Sequence, residues 1–250
     1  MTDQLARTIQ KAGGRIKTGW GDFDKKVYLR SKILVNVFSA PGVGKSMWAI
    51  NLAARVRVPV LYITIDTPLA TQALRWWALI GDRAISDVER RPRAAMRRAI
   101  RAPSGATVEW CDTPLGADDV PALLAAVSEY WGEPPRVVIV DVIGDLLSER
   151  SYESYTSAFA SMKRIAHRFG STVITLHHAT KNVDPEEPLY LRDVEYAGDK
   201  QPDVVIGMFI ASRRTVVAEI LKNRLGQASP NGSIEVRFKV DFARARLEEW

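Results

Sequence analysis

The octapeptide Ser39-Ala-Pro-Gly-Val-Gly-Lys-Ser46 constrains this chain more than any other segment. It lies between an apolar, β-branched run, Ile33 to Phe38, and a helical pattern from Lys45 to Arg55. A strand that passes through a glycine-rich turn into a helix is the setting a phosphate-binding loop requires. Glycines let backbone N–H groups turn inward and approach phosphate oxygens closely, and the helix adds its positive N-terminal end. Residues Ser39, Ala40, Pro41, Gly42, Val43, Gly44, Lys45 and Ser46 are therefore expected to cradle the phosphates of ATP. Lys45 would reach the β and γ phosphates and Ser46 would place its hydroxyl on Mg²⁺. Ser39 stands where the pattern usually begins with glycine, while Gly42-Val-Gly-Lys-Ser46 is intact.

The rest of the chain alternates short β-branched runs with helical patterns, which predicts an α/β domain with a mostly parallel sheet and crossover helices. Strands are expected at residues 33–38, 60–65, 107–110, 137–140, 172–176, 204–210, 216–221 and 234–240, and helices at about 45–55, 69–80, 92–101, 117–130 and 155–169. The first six strands read as continuously apolar and buried. The last two are joined by Lys222-Asn-Arg-Leu-Gly-Gln-Ala-Ser-Pro-Asn-Gly232, whose composition suits an antiparallel hairpin at the sheet edge. With 250 residues there is room for one core, expected over residues 18–250 behind a helical appendage at 1–17. Apolar runs fall far short of the roughly 20 residues a membrane span needs, and the start resembles no signal peptide, so no membrane partner is expected and the expected location is the cytoplasm. A single cysteine, Cys111, argues against disulfide chemistry.

A phosphate loop needs a second strand that presents an acidic residue to the magnesium shell. Arg136-Val-Val-Ile-Val-Asp141 supplies it, so Asp141 is the expected Walker B carboxylate beside Ser46. Val142 follows, and the group that activates the attacking water must come from elsewhere. Val60 to Asp66 also ends in a carboxylate, and with that strand beside the phosphate-loop strand Asp66 would point toward the γ-phosphate. Asp66 is the expected base.

At this point the chain resembles the RecA-like ATPases, and specifically the DnaB-type and phage ring helicases of superfamily four, over about residues 16–250. Thr18-Gly-Trp-Gly-Asp-Phe-Asp24 looks like that family's segment before the first strand. Family members usually carry Glu where Asp66 stands. The resemblance implies a RecA-like fold and a γ-phosphate sensor at the end of Val173-Ile-Thr-Leu-His177-His178, where His177 is favoured and His178 is the alternative. It also implies that residues 179–200 touch single-stranded DNA, with Lys181, Arg192 and Lys200 as phosphate contacts. Glu219-Ile-Leu-Lys222-Asn-Arg224-Leu-Gly226 is similar to the family's Lys-x-Arg pair, which reaches the neighbouring subunit's nucleotide. An arginine given in trans makes hydrolysis depend on assembly, so a ring, hexameric by resemblance, or a filament is expected.

Charge is modestly positive at +6, and residues 83–101 hold seven arginines against Asp87 and Glu89. If Pro92 starts a helix, residues 90, 93, 97 and 101 share one face, suited to DNA phosphates or equally to solvent or an acidic subunit contact. Trp76-Trp77 reads as core or interface packing. The leading expectation is a DNA-stimulated ATPase motor on single-stranded DNA in phage or bacterial replication or recombination, with a loader or primase as partner. One alternative is a RecA/RadA-like recombination ATPase. Another is a metal-dependent nuclease in which Asp66, Asp141, Asp145, His177 and His178 converge on a divalent ion.

Overall fold

The computed structural model describes residues 14–101 and 107–250. The expected N-terminal helix at residues 2–11 lies outside them. The apolar runs become β1 (Ile33–Ser39), β2 (Val60–Thr64), β3 (Val108–Cys111), β4 (Val137–Asp141), β5 (Thr172–His178), β6 (Val204–Ser212), β7 (Thr215–Asn223), β8 (Glu235–Asp241) and β9 (Arg246–Glu249). They form one sheet in the order β3-β2-β4-β5-β1-β6-β7-β8-β9. β3 to β6 in that order run parallel, and β7, β8 and β9 add antiparallel strands.

Three expectations need correction. β2 does not lie beside β1, because β4 and β5 intervene. β3 is an edge strand, so its residues are only partly covered rather than buried. The hairpin of β7 and β8 is not the sheet's edge: β9, whose Arg-Leu-Glu-Glu sequence carries little apolar signal, pairs outside β8.

The helices are α1 (Gly21–Lys26), α2 (Lys45–Arg55), α3 (Leu69–Gly81), α4 (Ile85–Arg90), α5 (Pro92–Arg101), α6 (Val120–Trp131) and α7 (Tyr152–Phe169). Successive strand side chains point to opposite faces, so each central strand feeds two cores. Val137 and Ile139 of β4 and Ile174 and Leu176 of β5 pack on the α2 side with Trp20, Phe23 and Trp48. Val138, Val140 and Val173 face α6 and α7, meeting Leu124, Tyr155 and Phe159. The packed core reaches back to Ile16, two residues before the expected boundary.

The short helix α1 was not expected, and long-range capping explains it. Six residues cannot hold a helix in water alone. The Glu249 carboxylate on β9 accepts hydrogen bonds from the Asp22 and Phe23 N–H groups at 2.8 and 2.7 Å, satisfying free donors of the first turn. Phe23 and Trp20 then close an aromatic cluster with Trp48 and Phe238. Glu249→Ala is expected to cost about 1–2 kcal/mol, the range for loss of a helix cap, and a lowered urea midpoint at constant m-value would measure it.

Candidate nucleotide site

The parallel strands β1, β2, β4 and β5 end on the same edge of the sheet, where an open α/β sheet binds ligands. β1 leaves the sheet at Ser39 and turns into α2 through Gly42 and Gly44, whose φ angles are +81° and +109°. Those left-handed conformations are what the two glycines supply, since a side chain would strain either position. The turn opens a cleft of about 400 Å³ lined by the phosphate loop together with Asp66, Arg75, Asp141, His178 and Phe242.

Lys45 opens α2 and is buried, its ammonium donating to the Ser39 carbonyl at 3.1 Å and the Ser39 hydroxyl at 3.0 Å. Burial lowers its pKa to about 8, an effect that the nearby Asp141 carboxylate partly offsets. A desolvated cation in a glycine loop gains strongly from an incoming polyanion, so these residues fit a triphosphate.

The two oxygens of Asp141 have different partners. Oδ2 accepts from the Tyr62 hydroxyl at 2.8 Å and from Gln72 Nε2 at 3.2 Å. Oδ1 accepts from the Ser46 hydroxyl at 3.1 Å. Burial raises the pKa of Asp141, opposed by the Tyr62 and Ser46 hydrogen bonds and by Lys45. Tyr62 and Gln72 thus hold the carboxylate so that one oxygen faces the serine. One carboxylate with one hydroxyl is the donor set that a hydrated Mg²⁺ takes beside substrate phosphates.

Asp66 lies past the end of β2, exposed, on the cleft wall. It reaches the cleft even though β4 and β5 separate β2 from β1, because all four strands end at one level. The favoured sensor does not reach it. His177 is fully buried between Tyr155 and Phe159, with Nε2 donating to the Glu195 carbonyl at 2.7 Å. Burial lowers its pKa to about 4, which keeps it neutral. His178 is the residue on the cleft wall, its pKa lowered by burial and then by Lys45. Alternation decides between them: His178 shares its face with Ile174 and Leu176, which pack on the α2 side, and His177 shares its face with Val173, under α7.

Lys222 and Arg224 sit at the opposite end of the sheet. β7 pairs Asn223 with Val204 of β6, and Val204 pairs with Val35 near the start of β1, far from Ser39 at its end. Lys222 donates to the Asp199 and Lys200 carbonyls at 2.6 and 3.2 Å, and its pKa is lowered by burial and by Arg224. Arg224 is half exposed, 3.7 Å from Asp203, which also pairs with Lys163. Neither residue lines the cleft of its own chain.

The segment 179–200 runs between these two ends. It is tied to β5 by the bridge Ala179–Val194, and the Glu195 N–H donates to the His178 carbonyl at 3.3 Å. Lys181, Arg192 and Lys200 are exposed along it, with Arg192 over the Tyr190 ring and Lys200 paired to Asp199 at 3.4 Å. The convergence expected of a nuclease does not form. His177 turns away, Asp145 pairs with Arg150 at 3.0 Å, and among the described residues no group of three or more His, Cys, Asp or Glu is placed to hold a metal ion.

Residue patterning alone does not point to Tyr62, Gln72, Arg75 or Phe242. A buried Tyr on the same strand face as Thr64 was legible as a partner for an adjacent carboxylate. Phe242 depends on the unforeseen turn before β9 and carried no signal.

The glycine turn, its buried lysine and the serine–carboxylate pair at the ends of a RecA-like sheet define a P-loop ATPase domain. The chain belongs to the AAA_25 family, described as an AAA domain, whose profile matches residues 25–184. It is 24% identical over 240 residues to the Gene 65 protein of Mycobacterium phage L5, covering 88% of each chain. The Gene 65 protein of Mycobacterium phage D29 is also 24% identical, over 218 residues, covering 80% of this chain and 92% of the relative. Among solved structures, an isolated ATPase domain superposes with a TM-score of 0.83 at 15% identity, covering all of this chain and 97% of that one. A DnaB-like replicative helicase, whose structure describes its interactions with primase, gives 0.81 at 15% identity, and this chain spans 66% of it. Among the described residues no helix is long and apolar enough to cross a membrane.

Proposed function

We propose that this chain is an ATP- and Mg²⁺-dependent motor ATPase, stimulated by single-stranded DNA, that works as a ring or filament in phage replication with a loader or primase as partner. The observation that carries this reading is the separation of Lys222 and Arg224 from their own cleft. Lys45, Ser46, Asp141, Asp66 and His178 gather at one end of the sheet, and the Lys-x-Arg pair stands at the other. A cation pair so placed serves a neighbour's nucleotide, and a heterologous contact of that kind repeats into a ring or filament.

Within the cleft, Asp66 takes the proton of the attacking water, Lys45 holds the β and γ phosphates, and Mg²⁺ sits between Ser46, Asp141 and the phosphate oxygens. His178 senses the γ-phosphate. Its carbonyl is bonded to Glu195 and the next residue pairs with Val194, so a shift at His178 displaces the segment that carries Lys181, Arg192 and Lys200. That path links ATP state to DNA contact. The relatives in phages and the likeness to replicative helicase ATPase domains support the replication role.

Phosphate release measured with and without single-stranded DNA tests the reading. The expected result is turnover that requires Mg²⁺ and rises with DNA. Release that DNA leaves unchanged refutes the motor. His178→Ala is expected to lower turnover roughly 10²-fold, the scale for losing one donor at a developing charge. His177→Ala is expected to cost about 2 kcal/mol or more in folding stability through a core cavity, measured by urea denaturation.

A further inference from the structure

The arginine-rich stretch is not absorbed by the nucleotide site. Arg83, Arg90, Arg91, Arg97 and Arg98 line a cavity of about 720 Å³ between α3, α4 and α5, wider than the nucleotide cleft. Its other walls are Val88, Ala94, Ala95 and Asp87. Arg93 of the expected helix face is not among the lining residues.

Two of the five guanidinium groups are committed. Arg90 pairs with Asp87 at 2.6 Å, and Arg98 donates to the Gly81 carbonyl at 2.9 Å. Asp82 is paired with Arg244 and Arg246. Among the described residues no ion pair involves Arg83, Arg91 or Arg97. The adjoining Ala102-Pro-Ser-Gly-Ala106 contains no carboxylate. Three uncompensated guanidinium groups around one concavity repel one another, and an anion entering it relieves that cost.

We infer that this cavity is a second nucleic-acid contact, in which Arg83, Arg91 and Arg97 grip the sugar–phosphate backbone without reading sequence. The inference rests on the proposed DNA-dependent function and adds a site to the segment 179–200. A protein partner would need apolar anchors in the centre of its interface, and the cavity offers only Val88 and two alanines. Planar forks that take phosphate oxygens two at a time are what a phosphodiester chain meets best.

The test uses a fluorescein-labelled single-stranded oligonucleotide titrated with the full chain across a salt series. Replacing all three residues (Arg83→Gln, Arg91→Gln, Arg97→Gln) is expected to reduce the slope of log K against log salt by about two, at roughly 0.7 for each lost phosphate contact. The corresponding Arg→Lys variant keeps the charges and most of the slope, which separates binding from folding. Nucleotide affinity stays unchanged, because none of the three lines the cleft. A parallel variant, Lys181→Ala with Arg192→Ala and Lys200→Ala, distinguishes the two sites. Loss of DNA affinity confined to that variant upholds the segment 179–200 and overturns the cavity. Loss confined to the Gln variant does the reverse. A wild-type chain that binds no DNA overturns both. Dispersal of assemblies in light scattering by the Gln variant, with its DNA slope intact, overturns the inference and makes the cavity a protein contact.

Discussion

Lys45→Ala is expected to weaken ATP binding by about 10²-fold or more while the chain stays folded. The magnitude is that of removing one partner from a buried, hydrogen-bonded charge pair, several kcal/mol. Folding survives because the lysine contributes little to it: its ammonium is desolvated and bonded to Ser39 oxygens within its own loop. Asp141 keeps the Tyr62, Gln72 and Ser46 donors when the lysine is gone. Thermal denaturation beside calorimetric titration of an ATP analogue separates the two effects. Normal affinity in the variant would remove the phosphate loop from the mechanism. The wild-type chain carries a pH signature of the same group. The lysine binds phosphate as the ammonium, and burial has brought its pKa to about 8. Raising the pH through that value empties the binding-competent form, so affinity is expected to be flat below it and to fall by up to about tenfold per unit above it. A flat profile to pH 10 would show that another cation carries the phosphates.

The phosphate loop and its carboxylate were legible because both are local. A glycine turn between a strand and a helix specifies its own conformation, and an apolar run that ends in Asp141 needs only the strand it closes. The strand and helix positions followed for the same reason: β-branched runs and helical periodicity are written in consecutive residues. What failed depended on the order of strands. Nothing between Val60 and Asp66 states that β4 and β5 stand between β2 and β1. Choosing His178 over His177 needs the face on which α2 packs, which alternation alone does not give. β9 and α1 were missed together, since each is held by the other through Glu249, Asp22 and Phe23 across the whole length of the chain.

Arg224→Ala is expected to leave ATP binding and folding in place and to lower DNA-stimulated turnover by about 10³-fold or more, the scale of an arginine supplied to a transferring phosphoryl group. Its structural cost is small, because Arg224 is half exposed and 3.7 Å from Asp203, a pairing worth about 1 kcal/mol or less. Loss of activity alone would not distinguish action on its own nucleotide from action on a neighbour's, but mixing two dead variants does. Lys45→Ala retains Arg224 and lacks the phosphate loop's cation. Arg224→Ala retains the loop and lacks the arginine. If the arginine works in trans, an interface between the loop of one and the arginine of the other is complete. Random co-assembly makes about a quarter of interfaces complete, and phosphate release returns in the mixture although neither component turns over alone. If Arg224 works in cis, no chain in the mixture holds both groups and the mixture stays silent. Light scattering on the same samples establishes that mixed assemblies have formed, so silence with assembly present counts directly against the intersubunit site.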